Sequence, residues 1–205
     1  MKTEIATGDA DPLTACLRRG YERHLACMAR LQGEPLAGLR RLVLLMETTL
    51  AGGGKVLACG NGGSASDAQH LVAELVGRYL KERRALPAVA LNADGSVLTC
   101  LSNDYDYERV FARQVEALGR PGDLLLAIST SGRSPNIVRV LKVSRDLGLR
   151  TAALLGRDGG PALAEAELSI VVPSQETARI QECHGLMIHL MCEALDLLLE
   201  SKGSA

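Results

Sequence analysis

Residues 123–136 read DLLLAISTSGRSPN: a short apolar run, a cluster of hydroxyl residues and the start of a helix. Ser134 suits the N-cap and Pro135 the first helical position, where a missing N–H costs nothing. The unit is therefore a strand, a tight loop and a helix. The same rhythm repeats on both sides: KVLAC (55–59), PAVALN (87–92), RTAALLG (150–156) and ELSIVVP (167–173) are β-like runs separated by amphipathic segments. Such alternation marks βαβ units and a parallel sheet. Right-handed crossovers put helices on both faces. The expected fold over residues 55–175 is a three-layer α/β/α sandwich around a five-stranded parallel sheet, with ligands bound beyond the carboxyl ends of the strands.

Residues 11–52 carry apolar side chains at helical spacing: Leu13, Cys16, Leu17, Tyr21, Leu25 and Met28, then Leu36, Leu39, Leu42, Leu45 and Met46. Gly33 and Pro35 interrupt the run, which predicts an N-terminal helical hairpin. Residues 176–201 form a last helix ending in LMIHLMCEALDLLL (186–199), more apolar than one solvated face requires. Hairpin and last helix are expected to form the interface of a homo-oligomer, against the plainer reading that they cover the sheet.

With 205 residues and no linker, one domain spanning 1–205 is expected. The chain is 47% hydrophobic but only 2% aromatic, so its core must be aliphatic. Its 23 basic and 24 acidic residues leave no field for a polyanion, which argues against nucleic acid as a partner. Six scattered cysteines without a C-x-x-C pair read as buried reduced thiols of a cytoplasmic protein. The polar start MKTEIATGDADP and the lack of a membrane-length apolar span predict neither export nor anchoring.

Two loops carry the chemistry. GNGGSAS (60–66) lets the backbone approach a ligand and leads into a helix whose free N–H groups suit an anion. A glycine turn between strand and helix is also a common structural device. Ala65 breaks the G-x-G-x-x-G pattern and no Walker lysine is present, so nucleotide is not implied. The loop after 123–128 is sharper. Ser129, Thr130 and Ser131 stand in a row ahead of a helix N-terminus, an arrangement that binds phosphate through hydroxyls, amides and the helix dipole. On the helix after the first loop, His70 and Glu74 lie four residues apart on one face and make half of a metal site.

CGNGGSASDAQH (59–70) and ISTSGRSPN (128–136), in this order after strand-like runs, resemble the sugar isomerase (SIS) domain of phosphosugar isomerases and their regulators. HLVAELVGRY (70–79), SNDYDYERVF (102–111), ALGRPGDLLLAISTSG (117–132) and RIQECHGLMIH (179–189) closely resemble the bacterial phosphoheptose isomerases. The resemblance covers the chain from about residue 55 to its end. It implies a flavodoxin-like fold, a homotetramer, one zinc ion per subunit and a phosphorylated sugar substrate. The implied reaction is aldose–ketose isomerisation of sedoheptulose 7-phosphate to D-glycero-D-manno-heptose 7-phosphate through an enediol, on the way to lipopolysaccharide.

The resemblance makes Glu74 and His189 the acid–base pair and places His70, Glu74, Gln181 and His189 around zinc. It assigns Asn61, Gly62, Gly63, Glu74, Asn103, Asp104, Ser129, Thr130, Ser131, Ser134 and Gln181 to substrate contact. Where some relatives carry an Asp, this chain has Ala178. Geometry objects to the four-ligand set, because Gln181 and His189 are eight residues apart, about 12 Å along a straight helix. The helix starts or bends near Gln181, or the site is looser; His184 is the alternative ligand by spacing. The rival function is a non-catalytic regulator of the same fold, like the protein that associates with the bacterial initiator DnaA. That class lacks carboxylate and imidazole at the positions of Glu74 and His189, which this chain has. A sugar-phosphate-sensing transcription factor is disfavoured because no DNA-binding motif precedes the sheet.

Overall fold

A computed structural model describes residues 11–201. The chain opens with helix α1 (Pro12–Ala29), capped by the Asp11 carboxylate, which accepts the Thr14 N–H at 2.8 Å. Gly33, with φ of 85°, turns the chain into α2 (Glu34–Ala51), which completes the expected hairpin. The five strands are β1 (Val56–Gly60), β2 (Ala88–Ala90), β3 (Leu124–Ser129), β4 (Arg150–Gly156) and β5 (Leu168–Val172). All pair in parallel, in the order β2-β1-β3-β4-β5.

Strand residues alternate between two aliphatic cores, as a sheet covered on both faces requires. Val56, Ala58, Leu124, Leu126, Ala152 and Leu154 point to one face, where α2, α3 (Gly63–Val76) and α8 (Thr177–Ser201) pack on them. Leu57, Cys59, Leu125, Ala127, Ala153 and Leu155 point to the other, under α4 (Gly95–Asp104), α5 (Ala112–Leu118), α6 (Pro135–Asp146) and α7 (Ala162–Glu165). The three expected layers are therefore present, and Phe111, the single phenylalanine, is buried in the second core.

The flanking helices differ in what they bury. α2 buries Leu39, Leu42, Val43, Met46 and Leu50 and covers the sheet, as the plainer reading expected. α1 instead leaves Leu13, Leu17, Tyr21 and Leu25 exposed in a stripe at four-residue spacing. The cysteines also depart from expectation. All six are free, but only Cys27, Cys59, Cys183 and Cys192 are buried; Cys16 and Cys100 lie on the outward sides of α1 and α4. Among the described residues no helix is long and apolar enough to cross a membrane.

Candidate active site

Strand order reverses between β1 and β3, so the crevice of this sheet lies beyond their carboxyl ends. The loop after β1 turns at Gly62, whose φ of 56° favours glycine, and enters α3 at Gly63. No side chain caps that helix start; the Ser64 N–H bonds the Asn61 carbonyl and the Ala65 N–H the Gly62 carbonyl, each at 3.0 Å, so the turn closes on its own backbone. Gly63 also has to be small, because a Cβ there would overlap the Gln181 amide reaching across from α8.

The loop after β3 matches its sequence reading closely. Ser134 occupies the N-cap of α6 and Pro135 its first turn, but the Ser134 hydroxyl makes no capping bond. Ser129 Oγ accepts the Gly132 N–H at 3.1 Å, and Ser131 Oγ accepts the Arg133 N–H at 3.2 Å. Each hydroxyl is thus held by the backbone as an acceptor and keeps its own hydrogen to donate. The Ser134 hydroxyl stands ready beside them. That is the chemistry an anion needs at a helix N-terminus.

A second set of groups gathers between α3 and α8. Gly63 faces Gln181 and His70 faces His189, so the two helices advance together. His70 Nε2 lies 3.2 Å from Glu74 Oε1 and 3.2 Å from His189 Nε2. The imidazoles meet edge to face, with centroids 4.9 Å apart, and Tyr79 stacks on His189 at 5.6 Å. Ligand atoms of His70, Glu74 and His189 all lie within 4.8 Å of one another, and all three residues are half-buried. Two imidazole nitrogens and a carboxylate oxygen around one point are a donor set that zinc takes, with a further position left for water or substrate. The residues therefore fit the ion that the resemblance implies.

Gln181, the fourth expected ligand, comes from the same helix as His189. α8 runs unbroken from Thr177, so no break near Gln181 shortens its separation from His189. Its amide lodges against Gly63, seven residues before His70 on α3, about 10 Å of rise. That puts Gln181 beside the glycine loop, where the expectation of a substrate contact places it. His184, the alternative ligand by spacing, is corrected outright. It is fully buried, and its Nε2 donates to the Leu155 carbonyl at 3.1 Å. Burial pushes its imidazole down to about 4, so it stands neutral in the core.

Several supporting residues gave no sequence signal. Arg83, nearly enclosed, donates to the Glu74 carbonyl at 2.7 Å and the Leu75 carbonyl at 3.0 Å, closing the end of α3. Its Nε meets Asp196 of α8 at 2.8 Å, and Asp196 also accepts the N–H groups of Leu80 and Lys81. Glu74 is thereby fixed from behind. Asp67, one turn before His70, holds one carboxylate oxygen enclosed without a partner, and burial pushes its carboxyl up. Asn103 and Asp104 lie exposed at the end of α4, bonded to each other at 2.9 Å. Just after them Tyr107 donates to Asn61 Oδ1 at 3.0 Å, which ties this segment to the glycine loop.

The SIS domain profile matches residues 21–156. A phosphoheptose isomerase of Geobacter sp. (strain M21) is 50% identical over 181 residues, covering 88% of this chain and 94% of its own. The structure of a Neisseria gonorrhoeae phosphoheptose isomerase superposes with a TM-score of 0.85 at 41% identity, covering 90% of this chain and 98% of that one. A Francisella tularensis phosphoheptose isomerase gives 0.88 at 34%, covering 91% and 100%. On matches of this extent, the chain belongs to the SIS domain family, among its phosphoheptose isomerases.

Proposed function

We propose that the protein isomerises sedoheptulose 7-phosphate to D-glycero-D-manno-heptose 7-phosphate for lipopolysaccharide precursors. The observation that carries this reading is the convergence of His70, Glu74 and His189 between α3, the helix that leaves the glycine loop, and α8. Ser129, Thr130, Ser131 and Ser134 hold the phosphate. The backbone of Asn61, Gly62 and Gly63, with Gln181, meets the sugar chain.

Isomerisation moves a proton from C1 to C2 and a second from O1 to O2, through an enediol. Glu74, as carboxylate, takes the C1 proton and returns it to C2. His189 gives a proton to O2 as the enediol forms and recovers one from O1 as it collapses. Tyr79 stacked on one side of its ring and His70 against another keep that imidazole in place. His70 would hold zinc, with Glu74 and His189 as further ligands whenever they are not carrying a proton, and the ion would supply Lewis-acid polarisation of the sugar carbonyl. The reading is tested by incubating the purified protein with sedoheptulose 7-phosphate and following aldose formation. No aldose product, with or without added zinc, refutes it.

Assembly into a homotetramer belongs to the same proposal. The stripe of Leu13, Leu17, Tyr21 and Leu25 on α1 is between about half and two-thirds exposed, and Leu36, Val43, Leu190 and Leu197 line an apolar groove between α2 and α8. Contiguous apolar surface of this kind calls for a partner. Light scattering at micromolar concentration is expected to report four chains. A stable monomer rules the assembly out.

A further inference from the structure

The two loops of the crevice leave the sheet toward opposite faces, one into α3 and the other into α6, yet one pair of side chains joins them. Asn61 Nδ2 donates to Asn136 Oδ1 at 2.9 Å, and Asn136 Nδ2 donates to Asn61 Oδ1 at 2.9 Å. Tyr107 adds a third bond to Asn61 Oδ1 at 3.0 Å. Asn136 is only 2% exposed. Because residues 60, 62 and 63 are all glycine, Asn61 is the one side chain by which the loop between β1 and α3 can be gripped. A two-way amide pair fixes both distance and orientation, since each partner must donate and accept at once. Leaving the buried Asn136 amide unpaired would carry the full penalty of its desolvation.

We propose that Asn136 is a positioning residue, which sets the span between the phosphate-holding hydroxyls of one loop and the α3 helix that carries His70 and Glu74. This rests on the functional reading above. Asn136 reaches the reaction only through Asn61 and the loop that Asn61 anchors. A ligand long enough to touch both loops feels the span, whereas inorganic phosphate, seated on the hydroxyl loop alone, does not.

The test compares the two ligands by titration calorimetry on the unmodified protein and on Asn136→Ala. The substitution removes both bonds to Asn61 and adds no charge beside the phosphate loop. Affinity for sedoheptulose 7-phosphate is expected to fall about tenfold or more, the scale set by misplaced binding groups, while inorganic phosphate affinity stays within about twofold. Adding Asn61→Ala to Asn136→Ala should cost little more, because the pair acts as one unit. Equal losses for both ligands, or a loss for neither, overturn the proposal, as does additivity of the two substitutions. Should the alanine variant at 136 fail to fold, Asn61→Ser breaks the same pair from the half-buried side and carries the same expectation. The functional reading fails separately, if the unmodified protein binds both ligands in this pattern yet forms no aldose. Unmodified protein that binds sedoheptulose 7-phosphate no better than phosphate has no two-loop span, and the inference falls.

Discussion

Turnover of sedoheptulose 7-phosphate is expected to fall at least about a hundredfold in Glu74→Gln, and by a similar factor in His189→Asn, the usual scale for losing a general acid or base. Glu74→Gln keeps side-chain size, His189→Asn leaves a smaller polar group, and the phosphate loop lies elsewhere, so substrate binding should persist. Exchange of the transferable hydrogen with deuterated solvent is the direct assay, because it sees proton abstraction even when net isomerisation is slow. A group that stays bound to an ion is not free to carry a proton, and this gives the test its second arm. Variants that lose zinc and thermal stability together, and regain activity in excess metal, would make these residues ligands first and move the proton-carrying role to another group. Turnover at the unmodified rate in either variant refutes the assignment.

Asp196→Ala should be among the most destabilising single changes in the protein, at about 3–5 kcal/mol, the cost of leaving one member of a buried ion pair alone. The Arg83 and Asp196 side chains are only 5% and 4% exposed. Removing the carboxylate strands the guanidinium and also frees the Leu80 and Lys81 N–H groups. Denaturant unfolding should show a lower midpoint with an unchanged slope. Arg83→Met together with Asp196→Leu, which removes both charges, is expected to recover much of the loss. A single variant as stable as the parent would show that the pair is solvated in solution.

Much of this architecture is written locally. Each central strand is a short apolar run followed by small or hydroxyl residues, so DLLLAIS and RTAALLG announce themselves, and the order of such runs implies the parallel sheet. Ser134 and Pro135 fix a helix start in two residues. His70 and Glu74 are legible because four residues make one helical turn. What spacing could not supply is any partnership between distant elements. His189 stands 119 positions from His70, and Asn136 stands 75 from Asn61. Only tertiary packing tells His189, which joins the site, from His184, five residues earlier, which faces the sheet and bonds Leu155. Tyr79 against His189 and Arg83 against Asp196 were unreadable for the same reason, as was the placement of Gln181 at Gly63.

The parallel advance of α3 and α8 limits how this chain can drift. Surface loops can gain or lose a residue without disturbing what they join, since added loop length costs little. Within α8 a single inserted residue between Gln181 and His189 would rotate everything beyond it by about 100°. Gln181 would still face Gly63, while His189 would swing away from His70. The eight-residue interval on one helix and the seven-residue interval on the other form a gauge that tolerates exchange of letters but not a change in their number.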